Sequence, residues 1–246
     1  MNRLVRPPPG SLAPSELPRT LEVMFGAPVM QLALPLLLSA ATTTAEVDPL
    51  KLFKPAAPVP PEGCRESLKS DGVRFSPWPL RPSRLGGDVM CEAPEGVAIK
   101  RGGGGLRFQP LARVNCAFAQ RLERFETIMQ EEARSILKSP VTSIVHLGTY
   151  NCRRMAAYPD WVSEHSFANA IDIATFVLKN GRRVEVERDW VRAEKPAATA
   201  AAQFLRRLTR RLYDEKVFSV VLTPSFDSHH KNHFHLDGAP YTVDGT

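Results

Sequence analysis

The chain has 246 residues, 43% of them hydrophobic and 24% charged, enough for one substantial core and a small appendage but not for a long multidomain machine. Thirty-two lysines and arginines against 26 acidic residues leave a formal charge of +6, a balance that suits anionic partners. The basic residues are scattered (Arg81 and Arg84, Arg153 and Arg154, Arg182 and Arg183, Arg206 to Arg211) with no base-reading motif beside them, so nucleic acid is set aside as a partner.

Composition is uneven along the chain. Of 22 prolines, 15 precede Arg84, and four of the six histidines fall between His229 and His235. The one long apolar stretch, Val23 to Ala41, follows Arg3, Arg6 and Arg19 and is succeeded by small residues ending at Ala45. Basic, apolar and Thr43-x-Ala45 segments in that order read residues 1–45 as a secretory signal. Gly26, Pro28, Gln31 and Pro35 interrupt the run of about 20 apolar residues that a membrane span needs; an uncleaved N-terminal anchor is the alternative. The expectation is an exported protein of the periplasm or cell envelope, meeting a membrane only through an uncleaved N-terminal segment.

Residues 46–62 hold five prolines and no periodicity, the pattern of an extended linker, and the folded unit is expected over residues 63–246. Cys64, Cys91, Cys116 and Cys152 all follow the signal, are even in number and form no C-x-x-C pair, which suggests two disulfides. Three pairings are open; the sequential one, Cys64 with Cys91 and Cys116 with Cys152, is favoured. Buried free thiols in a cytoplasmic protein are the alternative if the apolar run is not an export signal.

From Cys64 to Leu106, prolines and glycines, including the tract Gly102 to Gly105, break short apolar runs into strands and turns. Leu111, Val114, Phe118, Leu122, Phe125, Met129 and Ile136 recur at threes and fours, predicting an amphipathic helix over 111–136. Ser143 to Tyr150 predicts a strand that ends at Cys152 and Arg153. Ala170 to Leu178 and Arg183 to Val186 flank Asn180-Gly181, a dipeptide suited to a tight hairpin with positive φ at both residues. A second helix is predicted between Ala198 and Glu215, and further strands at Val217 to Thr223 and Phe234 to Leu236. Helices set apart from an antiparallel sheet give the fold class: α+β, a small antiparallel sheet flanked by helices with a disulfide-stapled N-terminal segment.

The chemistry is concentrated in Ser163-Glu-His165-Ser-Phe-Ala-Asn-Ala-Ile-Asp172 and His230-Lys-Asn-His233-Phe-His235. A catalytic zinc takes three nitrogen or oxygen ligands and keeps a fourth position open; His165, Asp172 and His235 supply that set. On alternating strands, Asp172 shares a side with Ala170 and Ala174, and His235 with His233, while Ile171, Ile173, Phe234 and Leu236 enter the core. His233 is then suited to proton transfer or oxyanion stabilisation, partnered by His230. Asp237 and Glu164 are weaker candidates to orient the ligand imidazoles. His146, inside an apolar strand, reads as an ordinary core histidine, and His229 has no assigned role. Each half of the constellation alone could be a solvated loop or an adventitious metal contact; the two together carry the reading.

At these residues the sequence resembles the extensin-like C-terminal domain family and, more distantly, zinc peptidases grouped with D-alanyl-D-alanine carboxypeptidases, penicillin-insensitive murein endopeptidase and hedgehog domains. The first resemblance covers most of Cys64 to Asp237, including Tyr150-x-Cys152-Arg153, the Trp190 segment and the ending NHFHLD. The peptidase pattern S-x-H-x-x-G-x-A-x-D is matched at Ser163, His165, Ala170 and Asp172, with Ala168 in place of its glycine. The carboxypeptidase glutamate base corresponds to Asn232, so the resemblance implies a histidine-assisted scheme. It also implies a substrate-binding arginine, matched by Arg153, whose bland reading is a surface residue beside Arg154. The expected function is zinc-dependent hydrolysis of peptide bonds in peptidoglycan, with peptidoglycan or another anionic wall polymer as partner. A wall-binding module with a structural or vestigial metal is the alternative, and a zinc-free structural envelope protein a third.

Overall fold

The computed structural model describes residues 55–87 and 89–246; the signal segment and most of the linker lie outside them. Residues 55–61 have no regular secondary structure and are largely exposed. Helix α1 (Cys64–Ser70) opens the folded unit. It is followed by strands β1 (Arg74–Pro77), β2 (Ser83–Gly86), β3 (Val89–Cys91), β4 (Val97–Arg101), β5 (Arg107–Gln109) and β6 (Ala112–Val114). Helix α2 (Cys116–Glu132) precedes β7 (Val141–His146), and a 3₁₀ turn (Glu164–Phe167) leads into the nine-residue β8 (Ala170–Leu178). Then come β9 (Arg183–Glu185), the short α3 (Val186–Asp189), α4 (Ala200–Asp214), β10 (Val220–Leu222), β11 (Phe234–Asp237) and β12 (Val243–Gly245). The fold class is α+β. Among the described residues no helix is long and apolar enough to cross a membrane.

The main sheet has seven strands in the order β12-β10-β11-β8-β7-β5, with β9 paired to β8. Its centre, β11-β8-β7, is antiparallel, whereas the β5–β7 and β10–β12 pairs are parallel. A three-stranded sheet, β1-β4-β6, and a β2–β3 pair complete the N-terminal part. Helices α2 and α4 bury Phe118, Leu122, Phe125, Met129, Phe204, Leu205, Leu208 and Leu212 in one cluster with Ile171, Ile173, Phe234 and Leu236 of the main sheet. Burying one such side chain contributes about 1.5–3 kcal/mol. With one set of side chains committed to that cluster, strand alternation turns Asp172 and His235 to the other face.

Helix α2 is shorter than its apolar spacing predicts. Asn115 accepts from the Phe118 N–H (2.8 Å) and so starts the helix there, a cap worth about 1 kcal/mol. The upstream apolar positions belong instead to β6, where Ala112 and Val114 point inward, while Leu111 is 42% exposed. Leu111 and Val114 matched the helical spacing by coincidence. In the β8–β9 hairpin only Gly181 takes positive φ (83°), so the turn is not the type expected of Asn-Gly. Helix α4 begins where Thr199 accepts from Ala202 N–H. It is tied to α2 by ion pairs from Arg207 and Arg211 to Glu132 and from Arg211 to Glu131.

The disulfide pairing corrects the sequential expectation. Cys64 joins Cys116 and Cys91 joins Cys152, leaving no free cysteine. Distance along the chain did not decide this: α1 packs on α2, which brings Cys64 to the first residue of that helix, and β3 lies against the loop after β7. The Cys64–Cys116 bond fastens the N-terminal segment to the body. Two disulfides fit a secreted protein.

Candidate metal centre

Strands β8 and β11 pair with Asp172 directly opposite His235. Ring and carboxylate therefore emerge side by side from the same sheet face, and Asp172 Oδ1 lies 2.9 Å from His235 Nδ1. His165 arrives from outside the sheet, in the turn that precedes β8. Its Nε2 is 3.2 Å from Asp172 Oδ2 and 3.3 Å from His235 Nδ1. These three residues form a possible His/Asp/His metal-binding group, the one such group found among the described residues.

The donor spacing fits a tetrahedral ion. Bonds of about 2.0–2.1 Å to nitrogen and oxygen put neighbouring tetrahedral donors roughly 3.3 Å apart; here His165 Nε2 and His235 Nδ1 are 3.3 Å apart, and the two Asp172 oxygens meet them separately, Oδ1 at 2.9 Å from His235 and Oδ2 at 3.2 Å from His165. The proton arrangement fits as well. His235 donates Nε2–H to Asp237 Oδ2 at 2.9 Å, so neutral His235 turns the Nδ1 lone pair toward the Asp172 carboxylate. Acceptor then faces acceptor, and a shared cation is required between them. Without a metal ion a proton takes that place: although burial opposes it, hydrogen bonds donated to Asp172 and Asp237 raise His235 to about 10. Asp172 is held far below the ordinary carboxylate range, its burial outweighed by hydrogen bonds from His165 and His235. A metal ion fits the same donors.

The turn carrying His165 is over-determined. Ser166 Oγ donates to the Arg153 carbonyl (2.8 Å) and accepts from Arg153 N–H (2.9 Å), and Asn151 N–H donates to the His165 carbonyl (3.1 Å). From the helix side, Asn115 Nδ2 donates to the Phe167 carbonyl and Asn115 N–H to that of Ala168, both at 2.9 Å. Ala168 itself has φ 50° and ψ 36°, a left-handed conformation in which glycine is easier. Trp190 steadies the other strand, its ring edge-on to Phe234 with centroids 5.3 Å apart and its Nε1–H donated to Ser225.

His233 and His230 lie beside the donor set. His233 Nε2 is 3.7 Å from Asp172 Oδ1, and its Nδ1–H is donated to Asn232 Oδ1 at 2.9 Å. His230 donates Nδ1–H to Asp227 Oδ1 at 2.7 Å, and its ring centroid is 5.3 Å from that of His233 and 5.9 Å from that of His235. Burial lowers the pKa of both His230 and His233. Asp172, His230, His233 and His235 remain 13% to 17% exposed, so solvent reaches this side of the group.

Arg153 is tethered through its backbone to the His165 turn, but its guanidinium donates to the Arg154 carbonyl (3.2 Å) and is not among the donor contacts. The Cys91–Cys152 disulfide holds the same loop. Glu164 does not orient an imidazole: it accepts from Asn169 Nδ2 (2.6 Å), and burial, followed by the nearby Asp237, raises it to about 8. His146 is buried, donates Nε2–H to the Pro110 carbonyl (2.8 Å), and is driven toward its neutral form by burial. His229 is exposed, its backbone N–H bound to Asp227. Asp227 was missed from the sequence, and Asn232 was noted only as standing in place of a glutamate base, not as the partner of His233. Their signals, an Asp three residues before a histidine and an Asn beside one, are too common to stand out.

No curated protein and no solved structure matches the chain. The family described as extensin-like protein C-terminus does, over residues 62–243, an interval that contains every residue of the centre, and the chain belongs to that family.

Proposed function

We propose that this is an exported zinc-dependent, peptidase-like domain that hydrolyses peptide bonds in peptidoglycan. The observation that carries the reading is the donor face: one ligand atom each from His165, Asp172 and His235, all within 4.8 Å of one another, a set of three protein ligands that would leave a fourth position for substrate or water on a bound zinc. The Ser163-x-His165 and His233-x-His235 spacings support the peptidase comparison, and the disulfides support export.

Zinc, when bound, supplies Lewis-acid polarisation of a scissile carbonyl and lowers the pKa of water. The chain's own residues do the remaining work. Asp237 keeps the Nε2 proton of His235 and thereby reserves Nδ1 as a ligand atom, as acidic partners of metal-bound imidazoles do. His233, with Nδ1–H held by Asn232, offers an Nε2 lone pair that takes up a proton near Asp172 and returns it to the leaving amine. His230, gripped by Asp227, supports His233 by packing beside it, ring centroids 5.3 Å apart. Arg153 receives a carboxylate of the peptide stem, a role that guanidinium geometry suits.

Zinc content measured with muropeptide release from isolated sacculi tests the reading. Wild type should hold about one zinc per chain and release peptides, and His235→Ala should lose both while keeping its circular dichroism spectrum. Equal release by the two proteins overturns the mechanism. Binding to sacculi without release, in wild type as in His233→Ala, replaces it with a non-catalytic wall-binding module.

A further inference from the structure

Exposed apolar side chains are ordinary when they are scattered singly. Among the described residues the large ones are Val59 (89% exposed), on the N-terminal segment, and Leu111 (42%) and Leu147 (56%). The two leucines are not scattered. Strands β5 and β7 run parallel, with Arg107 beside Ser143, Phe108 beside Ile144 and Gln109 beside Val145. The same offset continues past both strands: His146 Nε2–H is donated to the Pro110 carbonyl (2.8 Å), and Arg113 N–H to Thr149 Oγ1 (3.2 Å). Leu111 and Leu147 fall between these two ties and stand side by side, their backbones about 4.8 Å apart.

Leu147 is also bonded to the backbone of a donor residue. Its N–H donates to the Asp172 carbonyl (2.8 Å), and Asp172 N–H donates to the Gly148 carbonyl (3.1 Å). Since Asp172 pairs with His235, Leu111, Leu147, Asp172 and His235 make one row across the main sheet. Ile144, Ile171 and Ile173 fill the reverse face with core, so the exposed leucines are left on the open side with the donor atoms. Further along the same loop, Asn151 N–H holds the His165 carbonyl and Arg153 N–H the Ser166 hydroxyl. An apolar end beside Asp172 and a cationic end beside His165 therefore bracket the centre.

We propose that Leu111 and Leu147 form a specificity shelf for an aliphatic side chain, carried by the substrate residue that contributes the scissile carbonyl. The inference rests on the zinc-peptidase reading and adds to it which way the substrate lies. With the carbonyl at the fourth metal position and the peptide's carboxylate toward Arg153, the residue on the carbonyl side turns the other way, toward Leu147. Its side chain branches from the carbon next to that carbonyl, and Leu147 is one strand spacing from Asp172, about 4.8 Å, within reach of a side chain of three or four carbons. Covering the leucines takes apolar surface out of water on both partners. The ties at Pro110 and Thr149 hold the two backbones in place beforehand, so little ordering is lost on binding.

Amino-acid hydroxamates test it, because they bind a zinc ion whether or not the chain cleaves a peptide. With the zinc-loaded full chain, acetyl-leucine hydroxamate should bind about tenfold tighter than acetyl-glycine hydroxamate. Leu111→Ser/Leu147→Ser should bring that ratio within about twofold and leave zinc content, melting temperature and affinity for acetyl-glycine hydroxamate unchanged, as expected of exposed positions. Val59→Ser should keep the wild-type ratio. Equal affinities in wild type, or a ratio that survives in Leu111→Ser/Leu147→Ser, overturns the inference. Preference for acetyl-aspartate hydroxamate also overturns it and gives the position to Arg113. Equal affinities together with a dimer that the double variant dissolves assign the leucines to self-association instead. A wild type that binds neither compound, as His235→Ala should, marks failure of the zinc reading itself, and the shelf falls with it.

Discussion

The two sides of the metal centre are built by different means. Asp172 and His235 stand opposite each other in a strand ladder whose reverse face is the main core, so their separation is a property of the sheet. His230, His233 and Arg153 stand on loops, each gripped by a local partner: Asp227, Asn232 and the Ser166 hydroxyl. Ligand atoms need placement to a few tenths of an ångström, which the ladder supplies for Asp172 and His235 and the hydrogen-bonded turn before β8 supplies for His165. Groups that exchange protons or meet substrate need adjustment, which loops permit.

Breaking one side without the other sharpens this contrast. The largest effect is expected for His233→Ala, which should lower muropeptide release by roughly 10²- to 10⁴-fold with zinc content unchanged; loss of zinc would move His233 into the ligand set and erase the distinction. Next, Cys91→Ser/Cys152→Ser should cost about 2–4 kcal/mol in denaturant unfolding yet keep one zinc per chain, because β8 and β11 hold Asp172 and His235, and Asn115 still fastens the His165 turn from the helix side. Zinc lost along with stability would make the loop part of the ligand frame. Asp237→Ala should weaken metal affinity by about 10- to 100-fold in chelator competition, whereas Asp227→Ala, which releases the His230 ring and the His229–His230 backbone but no ligand residue, should leave it unchanged.

The smallest effect lies away from the centre and depends on pH. Glu123 is raised to about 7 from an ordinary value of 4.5, first by burial and then by Glu126 and Asp71. The folded state therefore holds more protons than the unfolded one between those values, and stability falls as pH rises through them. Glu123→Gln should raise the melting temperature by about 2 °C near pH 8 and leave it unchanged near pH 4. An equal shift at both pH values would remove the protonation argument.

The parts of the fold legible in the sequence were those governed by local periodicity. Stripes at Phe118, Leu122, Phe125 and Met129 and at Phe204, Leu205, Leu208 and Leu212 marked the two packing helices. Alternation around Asp172 and His235 showed which side chains leave the core. What escaped was decided by contacts distant in sequence. The parallel β5–β7 and β10–β12 edges join segments whose own composition says nothing about direction. The start of α2 was set by Asn115, a cap that the apolar stripe overran. The direction of the Arg153 guanidinium depends on rotamers and neighbours that no spacing encodes.

The cysteine pairing has a consequence for how the protein is made. Cys64 to Cys116 and Cys91 to Cys152 are interleaved, so the two covalent rings share the stretch from Cys91 to Cys116. A chain oxidised in order of emergence joins Cys64 to Cys91 and traps both half-sites in the wrong ring. Reaching the native pairs takes either docking of α1 on α2 before oxidation or reshuffling by thiol–disulfide exchange afterwards. The Arg153 loop is thus completed only after α1 has docked on α2 or the disulfides have exchanged.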